Sequence, residues 1–395
     1  MVYRVISSIL PLPRLITTTI SVTEMTAVLC KMKKTFKQAG TAGISVLLCL
    51  SFFGCTSFVN QKTTKYDHST ILMGTVVSES VYLNGEDNSS DIFSDIDSVI
   101  DRLENENLSW RVKGSDVYNI NTSENESEGT DLRKTQVSKV TADCIRRALE
   151  IGKASDGALD ISIGAVSHLW NFDADSAAHT PPPDSAIKEQ LSLVDYSRDY
   201  LSENNFVFTA KGQELDLGAV GKGLACDEVA KYLNTKKDIS GAIVSVGGSV
   251  LLYGKNPERK DSTYNVAVRD PFGSSNDYMG VLNLPGGTCI STSGDYEKTF
   301  VYEGKTYHHI LNPKTGYPAE SNITGVTVVS GSGIDTDALS TAVFIMGYGD
   351  KALDLLKKYD AEAVFITHDK KVYVTDGLKD KFTLPKSAAG FTVVD

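Results

Sequence analysis

The clearest hydrophobic periodicity in the chain follows Ser90 and Asp91. Apolar residues recur there at helical spacing, at Ile92, Phe93, Ile96, Val99, Ile100 and Leu103. This spacing predicts an amphipathic helix with one buried face. Residues 140–154 and 185–194 predict two more helices, and the proline-rich run 181–184 opens the second of them.

Beyond residue 200 the pattern changes to short runs rich in β-branched and aromatic residues, which is typical of strands. The predicted strands cover residues 206–208, 215–217, 242–246, 264–268, 281–284, 323–329 and 363–367. Helical patterns fall between some of them, at about 222–234, 336–346 and 350–358, and the polar segment 121–131 predicts a surface loop. Because neither a solenoid-type repeat nor a linker interrupts this succession, we expect one mixed α+β domain over residues 70–395.

The amino-terminal segment has the composition of a targeting signal. Lysines at 31, 33, 34 and 37 precede an uncharged apolar run at 39–53, which is shorter than the roughly 20 residues that span a bilayer. Gly54 directly before Cys55 favours a bacterial lipoprotein signal over 32–54, cleaved so that Cys55 becomes the lipidated first residue. Phe52 departs from that pattern, which prefers leucine. A plain secretory signal and a buried core segment are the alternatives.

The segments on either side of this signal are expected to lie outside the folded domain. Residues 1–31, which Pro11 and Pro13 interrupt, are expected to be an over-extended start. The short polar segment 55–69 is expected to be a tether between the lipid anchor and the domain.

Charge excludes two classes of partner. The chain carries 39 basic and 50 acidic residues, a net charge of −11, and the first 54 residues contribute six of the basic and one of the acidic residues. The remainder therefore has 33 basic and 49 acidic residues, a net charge of −16. A body this acidic lacks the electrostatic footprint for nucleic acid or anionic lipid. Of the cysteines outside the signal and Cys55, Cys144, Cys226 and Cys289 have neither disulfide nor metal-ligand spacing and are expected to be buried thiols.

A glycine-rich turn over residues 216–223 joins a predicted strand to a predicted helix. Such a turn lets the backbone approach a phosphate and directs helix amino-terminal N–H groups at it, while Lys222 adds a cation. The segment matches neither common nucleotide-binding fingerprint, so a simple tight turn is the alternative.

Two further places carry candidate chemistry. Asp337 and Thr341 lie four residues apart in a helical pattern, so both emerge on one face and offer the oxygen ligands that Mg²⁺ prefers. The alternative is that Asp337 only complements the helix dipole and Thr341 is a packed surface residue. His308 and His309 precede a rigid turn, where an imidazole can act as a base or serve a structural role.

Taken together, these segments resemble the ApbE family of flavin transferases. The resemblance runs from Met73 to about Gly347. Its motifs, in family order, are residues 73–75 (MGT), 155–160 (SDGALD), 216–223 (DLGAVGKG), 246–248 (VGG), 291–296 (STSGDY), 309–318 (HILNPKTGYP) and 337–341 (DALST). Asn312 stands where the family usually has aspartate, and Leu159 where phenylalanine is common.

The resemblance implies a role for particular residues. It implies that Met73 lines the flavin site, that Trp110 stacks on the isoalloxazine ring, and that FAD is held by Ala158, Leu159, Asp160, Asp216, Lys222 and Ala319. It further implies a Mg²⁺ ion bound by the backbone carbonyl of Ala219 and the side chains of Asp337 and Thr341, with His309 as the catalytic histidine.

The activity implied by the resemblance is Mg²⁺-dependent transfer of FMN from FAD to a Thr or Ser hydroxyl of a target protein, with release of AMP. It implies targets among membrane flavoproteins, such as subunits of sodium-pumping NADH:quinone reductases or Rnf-type complexes, and an enzyme anchored through Cys55 to the periplasmic or outer face of a bacterial membrane. An FAD pyrophosphatase and a non-catalytic FAD-binding lipoprotein are the alternatives.

Overall fold

A mixed sheet forms the centre of the computed structural model, which describes residues 63–394 apart from 128, 173–178, 275 and 389. Its strand order is β1-β2-β6-β7-β10-β13-β14-β15-β17, and all neighbouring strands are antiparallel except β15 and β17. These strands are β1 (Thr63–Leu72), β2 (Thr75–Asn84), β6 (Ile239–Val246), β7 (Ser249–Gly254), β10 (Thr288–Gly294), β13 (Ile323–Ser330), β14 (Glu362–Thr367), β15 (Lys371–Val374) and β17 (Thr392–Val394).

Smaller sheets surround the central one. They have the orders β3-β5-β4, β16-β9-β8 and β11-β12. Their strands are β3 (Leu132–Gln136), β4 (Tyr200–Leu201), β5 (Phe206–Ala210), β8 (Tyr264–Arg269), β9 (Tyr278–Leu284), β11 (Thr299–Tyr302), β12 (Lys305–His308) and β16 (Phe382–Thr383).

The helices pack mainly on one face of the central sheet. They are α1 (Ser89–Arg102), α2 (Asp116–Thr122), α3 (Lys139–Ala154), α4 (Gly164–Trp170), α5 (Asp184–Leu191), α6 (Gly221–Leu233), α7 (Gly333–Met346) and α8 (Asp350–Lys358). A π-helical turn, Leu103–Leu108, continues α1, and short 3₁₀ turns lie at Tyr196–Arg198 and Asp376–Leu378. None of the helices among the described residues is long and apolar enough to cross a membrane.

Both faces of the sheet are buried at strands such as β13 and β14, which explains why these strands are nearly continuous apolar runs in the sequence. In β6, Val244 packs in the core beneath the helices, while its neighbour Ile243 packs in a second core beneath the sheet formed by β8, β9 and β16. Val81 and Tyr82 of β2 divide between the two cores in the same way. The result is three layers, with helices and a small sheet enclosing the central sheet.

The structure confirms the expected α+β class and most of the predicted elements. The helix predicted from Ile92 is α1, and those at 140–154, 222–234, 336–346 and 350–358 are α3, α6, α7 and α8 with ends shifted by at most three residues. The helix predicted for 185–194 ends earlier, at Leu191. Cys144, Cys226 and Cys289 are free and buried, as expected.

Three predictions need correction. The domain begins before residue 70, because β1 starts at Thr63 and therefore includes residues 63–69 of the expected tether. β1 is the edge strand of the sheet and has no fully buried residue, so its sequence looks as polar as a linker.

Residues 215–217 do not form a strand, since the only pairing there is a single bridge between Ile163 and Glu214. The predicted loop 121–131 begins inside α2. The predicted signal at 32–54, Cys55, and the segments 1–31 and 55–62 lie outside the described residues.

Candidate active site

A cavity of about 350 Å³ opens where the β1–β2 turn, the start of α6 and one face of α7 meet. All of the predicted site residues in the described part of the chain line it except Ala319. They are Met73, Trp110, Ala158, Leu159, Asp160, Asp216, Ala219, Lys222, His309, Asp337 and Thr341. Gly247 and Gly248, together with Thr292 and Ser293, also line it, so residues from all seven motifs surround one space.

The glycine-rich turn forms one wall of this cavity. Asp216 folds it by accepting a hydrogen bond from the Gly218 N–H at Oδ1 (2.8 Å) and one from the Ser167 hydroxyl at Oδ2 (2.7 Å). The Lys222 ammonium donates to the Gly218 carbonyl (3.1 Å), and α6 begins at Gly221 without a side-chain cap. Helix amino-terminal N–H groups and a lysine beside a cavity favour binding of an anionic group such as a phosphate.

Asp337 lies opposite this turn and is only 5% exposed. Its Oδ2 accepts a hydrogen bond from the Gly223 N–H (2.9 Å), and its Oδ1 lies 3.8 Å from the Lys222 ammonium. The other carboxylate at the start of α7, Asp335, instead forms a paired interaction with the Arg147 guanidinium (2.6 and 2.7 Å). Only Asp337 of the two therefore presents its charge to the cavity.

Two neutral oxygens near Asp337 have no hydrogen-bond partner among the described residues. The Gly223 N–H, which in a regular helix would reach back to the Ala219 carbonyl, donates to Asp337 instead, so that carbonyl accepts no hydrogen bond from the described residues. The Thr341 hydroxyl, one helical turn beyond Asp337, forms none within the same part of the chain. No group of three or more His, Cys, Asp or Glu side chains among the described residues could hold a metal ion. One carboxylate with two neutral oxygens fits a hard cation such as Mg²⁺ that keeps positions for water and phosphate.

His309 contributes an imidazole to the lining of the cavity. Its Nδ1 lies 3.0 Å from the Glu297 backbone carbonyl, and because a carbonyl can only accept, we infer that Nδ1 carries the proton and Nε2 has a free lone pair. Burial, followed by the charge of Lys298, lowers the pKa of His309 to about 4. The imidazole is therefore neutral at physiological pH and available as a base.

His308 and Ala319 lie behind this wall. The His308 side chain is buried, and its Nε2 bonds to the Ala319 carbonyl (3.1 Å). Ala319 is 4% exposed and its N–H donates to the Ile310 carbonyl (2.9 Å), so it supports the His309 segment and does not line the cavity. Of the two histidines, only His309 lines the cavity.

Asp160 has its carboxylate committed to the protein. Oδ1 accepts from the Ser162 N–H and hydroxyl (2.8 and 2.6 Å), and Oδ2 accepts from the Tyr196 N–H (3.1 Å). Burial is the largest influence on this carboxyl group and raises its pKa despite these hydrogen bonds. The geometry makes Asp160 the residue that folds the segment carrying Ala158 and Leu159 against the cavity.

Trp110 lies half-buried at the cavity wall. Its ring centroid is 3.6 Å from that of His168, and the Arg111 guanidinium carbon lies 3.9 Å from the centroid. The His168 ring is itself held by Glu214, through Nδ1 and Oε2 at 2.5 Å. A flat ligand that stacks on Trp110 therefore competes with Arg111 for the indole surface.

Comparison with known proteins decides the family. The ApbE family model matches residues 73–365. The chain belongs to the ApbE family. It is 34% identical over 251 residues to the FAD:protein FMN transferase of Treponema pallidum, covering 60% of this chain and 68% of the relative. It is 28% identical over 339 residues to the enzyme of the same name from Escherichia coli K12, covering 82% and 92% of the two chains.

Solved ApbE structures share the fold. The ApbE protein of Thermotoga maritima superposes with a TM-score of 0.70 at 27% identity, covering 80% of this chain and 99% of that one. The flavin transferase ApbE of Vibrio cholerae gives a TM-score of 0.65 at 23% identity, covering 84% and 100%, and at that identity the likeness concerns the fold alone.

In this ApbE chain, sequence reasoning missed several residues that line the cavity. They include Thr75, Glu104, Arg111, Glu297 and Lys298. Glu297 and Lys298 directly follow the 291–296 motif, so extending that motif by two positions would have found them. Glu104 lies in the π-helical turn after α1, and nothing in its local sequence distinguishes it from the neighbouring acidic residues.

Proposed function

We propose that this ApbE chain transfers FMN from FAD to a hydroxyl group of another protein. The observation that carries the proposal is one cavity lined by the glycine-rich turn, by Asp337, Thr341 and Ala219, and by His309, whose Nδ1 is engaged by the Glu297 carbonyl so that Nε2 is left to act as a base. The relatives named FAD:protein FMN transferase support the same reaction.

The residues that would hold Mg²⁺ are Asp337, Thr341 and the Ala219 carbonyl. Their fit rests on the buried Asp337 carboxylate and on the Ala219 and Thr341 oxygens, which have no hydrogen-bond partner in the part of the chain that the structure describes. When bound, the ion would neutralise charge on the FAD pyrophosphate.

The chain's own groups position the reactants and move the proton. Lys222 and the start of α6 are placed to bind the pyrophosphate, and Trp110 and Met73 to contact the flavin. Nε2 of His309 accepts the proton of a Thr or Ser hydroxyl on the target. The hydroxyl oxygen then bonds to the FMN-side phosphorus, the bond from that phosphorus to the bridging oxygen breaks, and AMP leaves with that oxygen.

The test is incubation of the purified protein with FAD, Mg²⁺ and candidate acceptor domains, followed by mass spectrometry of the acceptor. The expected result is an added FMN on one Thr or Ser, absent when that residue is replaced by Ala. A His309→Ala variant should bind FAD but transfer poorly. Release of free FMN and AMP with every acceptor would instead identify a pyrophosphatase, and unchanged FAD would identify a flavin-binding protein without this activity.

The acceptor and the location belong to the same proposal. We expect acceptors among flavoprotein subunits of membrane electron-transfer complexes, of the sodium-pumping NADH:quinone reductase or Rnf type, and an enzyme anchored through Cys55 outside the cytoplasm. The supporting observation is the sequence pattern before Cys55. Membrane fractionation and amino-terminal mass analysis of wild type and Cys55→Ala test it. Identical fractionation with no acyl mass on the wild type would refute the anchor.

A further inference from the structure

The turn between β1 and β2 has an unusual residue for its conformation. Leu72 pairs with Thr75, so Met73 and Gly74 form a two-residue loop, with φ values of 50° and 63°. Two positive φ values are expected of a type I′ turn, where Asn, Asp or Gly normally stands first. Methionine costs conformational energy there, which indicates that its side chain or its amide is needed in this place.

The Glu104 carboxylate contacts this turn directly. Its Oε2 accepts a hydrogen bond from the Met73 N–H at 2.6 Å. An ionised acceptor makes such a bond shorter and stronger than a neutral one. Glu104 belongs to the π-helical turn Leu103–Leu108, where the Ser109 N–H donates to the Glu104 carbonyl five residues back (3.0 Å). Such turns occur often at functional sites because they redirect a side chain.

The hydrogen bond joins two walls of the flavin cavity. Both Glu104 and Trp110 lie on the segment that continues α1, while Met73 lies on the hairpin. At Gly221, the first residue of α6, an added Cβ would lie 3.3 Å from Cδ1 of Leu108 and 3.4 Å from the Met73 methyl carbon. The Met73 side chain and the end of the π-helical turn therefore both pack at the phosphate-binding turn, and Glu104 fixes them relative to each other.

We propose that Glu104 is a positioning residue for FAD. Glu104 holds Met73 in its strained conformation, so that the part of the cavity wall that contacts the flavin is already formed before FAD binds. This role rests on the proposed flavin transfer. It requires the reach of the side chain and its ability to accept a hydrogen bond, and it does not require proton transfer by the carboxylate.

Two variants test the length of the Glu104 side chain separately from its charge. Glu104→Gln keeps the length and an accepting oxygen but removes the charge, whereas Glu104→Asp keeps the charge but is one carbon shorter. Glu106→Gln, an exposed position in the same π-helical turn, is the matched control. FAD affinity is measured by fluorescence titration, kcat for FMN transfer at saturating FAD, and folding by thermal unfolding.

The Glu104→Gln variant is expected to bind FAD more tightly than the Glu104→Asp variant. Glu104→Asp should weaken FAD binding by about tenfold or more, the usual effect of losing a hydrogen bond to a charged group. Glu104→Gln should weaken it less, because a weaker neutral hydrogen bond remains, and the control should stay within about threefold of wild type. kcat should remain near wild type in all three. Wild-type FAD affinity in Glu104→Asp, or loss of kcat in Glu104→Gln, would overturn the positioning role. Absence of transfer by the wild type would refute the proposed function but leave the affinity comparison valid.

Discussion

Gly223 of α6 and Gly333 of α7 face each other at the closest approach of the two helices. A Cβ added to either glycine would collide with the carbonyl oxygen of the other. This close crossing brings the Gly223 N–H to 2.9 Å from the Asp337 carboxylate. Asp227 of α6 also fixes the start of α7, because its carboxylate accepts hydrogen bonds from the first two N–H groups of α7 (2.6 and 2.9 Å).

Gly223→Ala should therefore destabilise the fold and displace Asp337. The added methyl group would also lie 2.7 Å from the Asp337 Cβ, and overpacking of this kind costs about 1–3 kcal/mol of unfolding free energy. Gly349→Ala is the matched control, since an added Cβ there meets no atom within 4 Å and should change stability by less than about 0.5 kcal/mol. Chemical denaturation of both variants checks this. Equal stabilities would contradict the close crossing.

A helix or strand is easiest to predict from the sequence when its apolar residues all pack against the same core. The apolar positions of α1 face one core, so their spacing alone defined the helix from Ile92. β1 gives no such signal, because an edge strand with polar residues on both faces looks like a linker until its pairing with β2 is known. Residues 215–217 have the alternating pattern of a strand because Leu215 and Leu217 are buried, but they form no strand pairing. The Asn121 side-chain amide instead bonds both backbone groups of Leu215.

The residues of the candidate site are likewise predictable where they stand in local motifs and not where they depend on contacts between distant segments. Asp337 and Lys222 stand in motifs that can be recognised along the chain, and the structure brings them within 3.8 Å of each other. Glu104 meets Met73 across 31 residues, and a hydrogen bond between segments leaves no local pattern. The sequence also could not show that the Ala219 carbonyl accepts no hydrogen bond from the described residues, because that depends on the diversion of the Gly223 amide to Asp337.

Trp110→Ala should weaken FAD binding by about 1–3 kcal/mol, the usual contribution of stacking a flat ring on an aromatic side chain. The indole lies at the cavity wall with Arg111 and His168 against it, so its removal also leaves those groups without their packing partner. Trp110→Phe keeps an aromatic face and should retain most of the affinity. Isothermal titration with FAD measures both, and unchanged affinity in Trp110→Ala would remove this residue from the site.

The pH dependence of transfer should reveal the neutral state of His309. The imidazole acts as a base only when it is unprotonated, and its pKa is lowered to about 4. At saturating FAD, the rate should not fall near pH 6.5, where an ordinary histidine titrates, and should decline only as pH approaches about 4.

Lys298→Gln tests the cause of that shift. The Lys298 charge is one of the influences that lower the pKa of His309, so removing the charge should move the acidic limb to higher pH. Rates at several pH values, with circular dichroism to confirm folding, provide the comparison. An acidic limb near pH 6.5 in the wild type would contradict the buried, neutral imidazole.

Asp337 offers the sharpest test of the proposed mechanism, because it supplies the only charge among the three groups expected to hold Mg²⁺. Asp337→Asn keeps the shape and an oxygen that can accept the Gly223 hydrogen bond, but it removes the charge. Mg²⁺ should then bind far more weakly and transfer should collapse at low Mg²⁺, while FAD binding, for which Trp110 and Met73 are the proposed flavin contacts, should decline less.

Asp335→Asn is the matched control on the same helix. Its carboxylate is directed to Arg147, so its replacement should reduce stability but leave the Mg²⁺ dependence of transfer unchanged. If Asp337 only complemented the α7 dipole, its replacement would cost about 0.3–1 kcal/mol of stability and leave turnover nearly normal. The two views therefore differ in one measurement, the transfer rate against Mg²⁺ concentration for wild type and both variants. Identical curves for wild type and Asp337→Asn would refute the metal assignment, and the transfer mechanism would then have to rely on Lys222 and the start of α6 alone to offset the pyrophosphate charge.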